Sequence, residues 1–211
     1  MEGVYTRIVT LESAGQVLDM RYTPEEIASQ EMVAKVYDFI SHTQEFLELI
    51  PNMGQEIISL AGDLLDKKRI ALIEGRVHPV QGLPQACGSI IVGKTTPFSQ
   101  VLLTAKSLEP QTSFVVTLRY DSNIIRETSV QTNLVNFEID DGKKDDFNTD
   151  LPNALGRILE LSQDAYGKIP DLLWDAHGVI YEPLIWLFAQ DADDAITKLK
   201  LILKTCTEYG Q

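Results

Sequence analysis

Phe114, Val116, Leu118 and Tyr120 place apolar side chains at every second position, with Thr117 and Arg119 between them, and no other stretch restricts the backbone so tightly. A period of two belongs to a β-strand with one buried face. Ile124–Thr132 follows after only Asp121-Ser122-Asn123. A parallel return needs roughly a dozen residues or more, so a second strand here pairs antiparallel with the first. Gln100–Ser107, with Val101 and Leu103 on alternate positions, predicts a strand before this pair, and Leu134–Ile139 predicts another after it.

The flanking text is helical. Thr23-Pro24-Glu25-Glu26 supplies an N-cap, a Pro at the first helical position and a Glu where a capping box needs one. Val33, Val36, Ile40, Leu47 and Ile50 carry that helix at three-and-four spacing to Pro51. A second helix is predicted after Asn52-Met53-Gly54, with Ile57, Ala61, Leu64, Leu65 and Lys68 on one face and an end at Gly75 or Pro79. Gly82, Pro84, Gly88 and Gly93 predict loop from Pro79 to Pro97, with one short strand at Ser89–Val92. Ahead of Thr23, two β-rich runs around Ser13-Ala14-Gly15 predict a hairpin.

Residues 140–150 are polar and charged, and read as an exposed loop; beyond them only helices are expected. One starts at Thr149 or Asp150 and turns Leu155, Ile158, Leu159 and Leu161 inward. A short one spans Asp171–Ala176, another begins near Glu182-Pro183, and Asp193 or Asp194 leads a stripe from Ala195 to Cys206 with Lys198, Lys200 and Lys204 outside. The expected class is α+β: an N-terminal hairpin and helices, a central antiparallel sheet, and C-terminal helices packed on one face. At 211 residues the chain is expected to form one domain, 1–211, with 140–150 the candidate seam.

Charge narrows the partners. Eighteen Lys and Arg stand against 31 Asp and Glu, a formal net charge of −13. Cations that neutralise phosphates drive association with nucleic acid and with anionic membranes, so neither is expected, and a protein with a basic surface is the partner that fits. Lys67-Lys68-Arg69, the compact basic run, reads as the cationic last turn of a helix. Cys87 and Cys206 match no metal or disulfide spacing and are expected as buried thiols. The first seven residues lack the pattern of a secretory signal, and Leu184–Ala189 is far shorter than the roughly 20 residues of a bilayer span, so a cytoplasmic location is expected.

Gly88-Ser89-Ile90-Ile91-Val92-Gly93-Lys94-Thr95 satisfies the formal pattern of a phosphate-binding loop. Its interior is Ser-Ile-Ile-Val, stiff β-formers that resist a wrapped loop, and Phe98-Ser99-Gln100 runs into apparent strand, so a strand with a Gly turn is expected there instead. Asp140–Asp150 lacks the spacing of a calcium loop. His42 and His78 have no evident partner, whereas His177 lies in Trp174-Asp175-Ala176-His177-Gly178 with Glu182 close by, which suits either an oriented imidazole or a helix end at Gly178. No hydrolase motif is present, and no cofactor or metal is expected. Aromatic rings with an acidic rim mark protein-binding surfaces. The expected function is therefore a non-catalytic interaction or regulatory protein, an accessory subunit that binds its partner through Trp174, Tyr181, Trp186, Phe188, Asp191, Asp193 and Asp194. Two alternatives stand beside it: a small-molecule-binding domain with a pocket between sheet and helices, and a motif-poor enzyme centred on Asp175, His177 and Glu182.

Overall fold

The computed structural model describes residues 22–63, 65–139, 151–178 and 182–209. The hairpin expected ahead of Thr23 and the loop expected at 140–150 lie outside them, as do Tyr181 and the side chain of Cys206. Helix α1 (Pro24–Ser41) opens on the expected capping box: the Thr23 hydroxyl accepts from the Glu26 amide, and the Glu26 carboxylate accepts from the Thr23 amide. It stops at His42 rather than Pro51, and a 3-10 turn, Gln44–Leu49, tucks Phe46 and Leu49 inward.

Strands β1 (Ile57–Leu60), β2 (Ile70–Ile73), β5 (Ile90–Val92), β6 (Phe114–Arg119), β7 (Asn136–Glu138), β8 (Leu172–Asp175) and β9 (Leu184–Ala189) form a sheet in the order β5-β2-β1-β6-β9-β8-β7; β3 (Val77–Val80) and β4 (Leu83–Ala86) make a separate ribbon. Every pairing in the sheet is antiparallel except β7 with β8. Helices α2 (Pro97–Leu108), α3 (Ser122–Gln131), α4 (Leu151–Tyr166) and α5 (Ala192–Tyr209) complete the described elements.

The α+β class holds, with helices on both sides of the sheet. On the first face, Val33, Val36 and Ile40 of α1, Ile124 and Ile125 of α3, and Ala195, Leu199 and Ile202 of α5 bury Ile57, Val116, Leu118 and Leu187. On the second, Phe98, Val101, Leu102 and Ala105 of α2 and Leu155, Ile158 and Leu159 of α4 bury Ile58, Val115, Leu173 and Trp186. The C-terminal helices expected on one face thus divide between the two. Leu161 stands 46% exposed, outside the stripe expected to hold it.

Ile57–Leu60, Leu172–Asp175 and Leu184–Ala189, expected as helices, are strands covered on both faces, and such strands lose the alternation that marks a half-exposed one. Gln100–Ser107 and Ile124–Thr132, expected as strands, are helices opened by Thr96 with Pro97 and by Asp121. Their alternation was a short-window coincidence, since Val101, Leu102 and Ala105 equally suit a helical face. Residues 79–86, expected as loop, pair with Val77 and His78 into the β3–β4 ribbon. Lys67–Arg69 is a 3-10 turn leading into β2, not a helix end, and Cys87 is exposed rather than buried. Among the described residues no helix is long and apolar enough to cross a membrane.

Candidate functional site

The antiparallel order brings the start of β1 and β9 to the same end of the sheet as the finish of β2, β6 and β8. The Thr117 amide donates to the Glu56 carbonyl, and the Tyr120 amide to the Pro183 carbonyl, tying those segments there. Helix α2 starts at this end as well. Its N-cap, Thr96, receives the Ser99 amide and donates its own hydroxyl to Glu56 Oε2 at 2.8 Å. Thr104 lies against Gly156 of α4, and Gln163 of α4 donates to the Leu108 carbonyl, so α4 runs beside α2 in the same direction. The positive ends of both helix dipoles therefore point the same way.

At the start of α2 opens a cleft of about 280 Å³ lined by Met53, Glu56, Arg76, His78, Lys94 and Thr96, among others. Glu56 is 5% exposed. Its Oε1 takes Arg76 Nε at 3.0 Å and Nη2 at 2.9 Å, while Arg76 Nη1 donates to the Met53 carbonyl at 2.8 Å. Lys94 meets Glu74 at 2.9 Å on the rim, where both side chains are more than half exposed. Gly54, at φ 88°, lies so close to the His78 ring that a Cβ there would collide with it, so this wall of the cleft requires glycine. Among the described residues no group of three or more His, Cys, Asp or Glu gathers as a metal site.

The phosphate-loop lookalike resolves into β5, a turn at Gly93 (φ 82°) and the start of α2, with Pro97 opening a helix where strand was expected. Of the residues proposed for an enzyme, Asp175 is fully buried and accepts the His177 backbone amide at 2.9 Å, while the His177 side chain is exposed. Glu182 braces the cleft wall: its carboxylate accepts the Asn52 and Met53 amides at 3.2 and 2.7 Å and the Asn52 side-chain amide at 2.9 Å.

The residues expected at a partner surface are dispersed. Trp186 is fully buried in β9, edge-on to Phe98 at 6.0 Å, and Phe188 is 2% exposed. Trp174 stacks on Tyr120 at 5.6 Å on the first face of the sheet. Burial, then the charges of Glu138 and Asp121, push the Tyr120 phenol above its ordinary value. Asp191 caps α5 through the Asp194 amide, Asp193 meets Lys35 at 2.7 Å, and Asp194 meets Lys198 at 3.0 Å. Glu56, Arg76 and Met53 carried no signal in the sequence. Thr96-Pro97 repeated the helix-start signature of Thr23-Pro24, and that was the available clue.

A family model described as thiamine-phosphate synthase ThiN matches residues 32–201. The bifunctional thiamine biosynthesis protein ThiDN of Methanocaldococcus jannaschii is 23% identical over 158 residues, 74% of this chain; the chain spans 36% of that relative's length. The C-terminal domain of protein MJ0236 superposes with a TM-score of 0.71 at 20% identity, covering 85% of this chain and 96% of that one. The C-terminal domain of a phosphomethylpyrimidine kinase gives 0.71 at 19% identity, covering 83% and 98%. These two likenesses show the fold. The family match overturns the expectation of a non-catalytic interaction or regulatory protein, and the burial of Trp186 removes the anchor that expectation required.

Proposed function

The chain belongs to the thiamine-phosphate synthase ThiN family, and from that premise we propose that it joins a pyrimidine to a thiazole phosphate in the cleft at the start of α2. Thiamine phosphate is a pyrimidine linked through one methylene to the ring nitrogen of a thiazole whose side arm is phosphorylated. In forming that link, the thiazole nitrogen donates its lone pair to the methylene carbon. The bond from that carbon to a phosphorylated leaving group breaks, and the leaving group departs with the bonding electrons. Both partners bring negative charge, and the thiazolium formed is positive. The enzyme's task is to hold two phosphorylated groups, align nitrogen with carbon, and favour charge moving onto the departing oxygen.

The observation that carries the assignment is the gathering of Arg76, Lys94 and His78 around a cleft at the N-terminus of α2. Amides and cations at a helix start suit phosphate oxygens. Met53, Leu72 and Ile73 give the cleft apolar lining, which limits water around the reacting pair. Glu182 and Glu56 fix the two sides of the opening. The test supplies the phosphorylated pyrimidine and the thiazole phosphate to the purified chain and measures thiamine phosphate after oxidation to its fluorescent thiochrome. Product that depends on both substrates and on enzyme concentration is the expected result. Absence of product from folded protein overturns the reading.

A further inference from the structure

We infer that Arg76 grips the phosphorylated end of a substrate in this cleft and that Glu56 is its positioning residue; the inference rests on the synthase reading for the identity of the substrate, not for the geometry. Arg76 has φ 67°, a left-handed conformation that residues with a Cβ seldom adopt, and it is pinned there from both sides. Its amide donates to the Ile73 carbonyl, and its carbonyl accepts the Cys87 amide at 2.9 Å. The guanidinium is held as firmly: Nε and Nη2 converge on one oxygen of Glu56, Nη1 reaches the Met53 carbonyl, and Cζ lies 6.0 Å from the centre of the Phe98 ring.

A guanidinium has five N–H donors. Those contacts engage three, one each on Nε, Nη2 and Nη1. The second hydrogens of Nη1 and Nη2 remain on a side chain that is 28% exposed and lines the cleft. A pair of N–H groups on one rigid plane matches two oxygens of a phosphate. Glu56 does more than neutralise. Its second oxygen takes the Thr96 hydroxyl, so one buried carboxylate sets the spacing between the guanidinium and the first turn of α2. The two spare donors thus belong to a cation held in place at the lining of an open cleft, where an anion can reach them.

The experiment titrates inorganic diphosphate into the full chain by calorimetry, for the wild type, Arg76→Lys and Glu56→Gln, with thermal midpoints measured alongside. Lysine keeps a cation beside Glu56 but loses the planar fork. Arg76→Lys is expected to weaken diphosphate binding at least tenfold with a midpoint near that of the wild type. Glu56→Gln is expected to raise KM for the phosphorylated substrate with little change in kcat, because it loosens the aim of Arg76 without removing its charge. Should Arg76→Lys fail to fold, the double variant Glu56→Gln/Arg76→Met, which buries no unpaired charge, carries the same comparison. Unchanged diphosphate affinity in the folded Arg76 variant, or no diphosphate binding by the wild type, overturns the inference. Product formation together with unchanged affinity in Arg76→Lys sinks the inference and leaves the synthase reading standing. Loss of binding in Arg76→Lys with no product from the wild type does the reverse.

Discussion

At one end of the sheet Glu56 gathers Arg76 and Thr96; at the other, Asp171 gathers Lys198, Lys168 and the Val135 amide. The distances are alike, 2.8–3.0 Å throughout. The accounting of donors is not. The Lys198 ammonium has three hydrogens and three acceptors, the Phe188 carbonyl at 2.9 Å, Asp171 at 2.8 Å and Asp194 at 3.0 Å. That ammonium is saturated where it borders a hollow of about 110 Å³. Arg76 keeps two donors beside a cleft of about 280 Å³. The less exposed cation at each end therefore differs: Lys198 is spent inside the fold, whereas Arg76 keeps binding capacity.

A buried core separates the two ends, and the largest expected effect tests it. Trp186→Ala removes a fully buried ring and should lower unfolding free energy by about 3–5 kcal/mol in a urea titration. A loss under 1 kcal/mol would mean that the second face is open. Next come the two cations. Arg76→Ala leaves the Glu56 carboxylate buried without a charge partner and should cost about 3 kcal/mol. Lys198→Ala leaves Asp171 with Lys168 and the Val135 amide and should cost about 2 kcal/mol. Equal costs would erase the contrast between the ends.

Protonation separates them further. Burial by itself would raise the pKa of Asp171, but the hydrogen bonds from Lys198 and Val135, the Lys198 charge and the bond from Lys168 together hold it below the usual carboxylate range. A carboxylate depressed in the folded state stabilises fully above its unfolded pKa, about 3.9, and loses that contribution as pH falls from there through the lower folded value. Asp171→Asn should accordingly flatten the acid limb of stability against pH, and an unaltered limb would show that Asp171 is not a source of it. The smallest effect belongs to the rim. Lys94→Ala breaks a pair exposed on both sides and should change stability by less than about 1 kcal/mol. A larger loss would make Lys94 part of the frame rather than of the cleft.

Legibility followed range. The Thr23 capping box and the apolar stripe of α5 act within a few residues of themselves, and both stand where the sequence places them. Lys198 is the exception on that stripe: expected outside, it turns back across the C-terminal end of β9 to Phe188. Phe114–Arg119 was recognisable as strand although it is central, because Thr117 and Arg119 preserve the alternation. Ile57–Leu60 and Leu184–Ala189 have no such punctuation, and the sheet neighbours that make them strands lie far away in sequence: Ile57 beside Val116, Trp186 beside Thr117. The residues of the cleft had no shared spacing to reveal them.

By itself, then, the sequence determined the α+β class, the capped start of α1 and the amphipathic face of α5, since caps, prolines and apolar periodicity are settled by neighbours one or two turns away. Which apolar runs became strands, which face each helix covers, and the meeting of Glu56 with Arg76 twenty positions on and Thr96 forty positions on were decided by the tertiary structure alone. The physical reason is that burial on both faces of a strand erases its period, and a buried carboxylate is stabilised by whichever donors the completed sheet brings to it, at any distance along the chain.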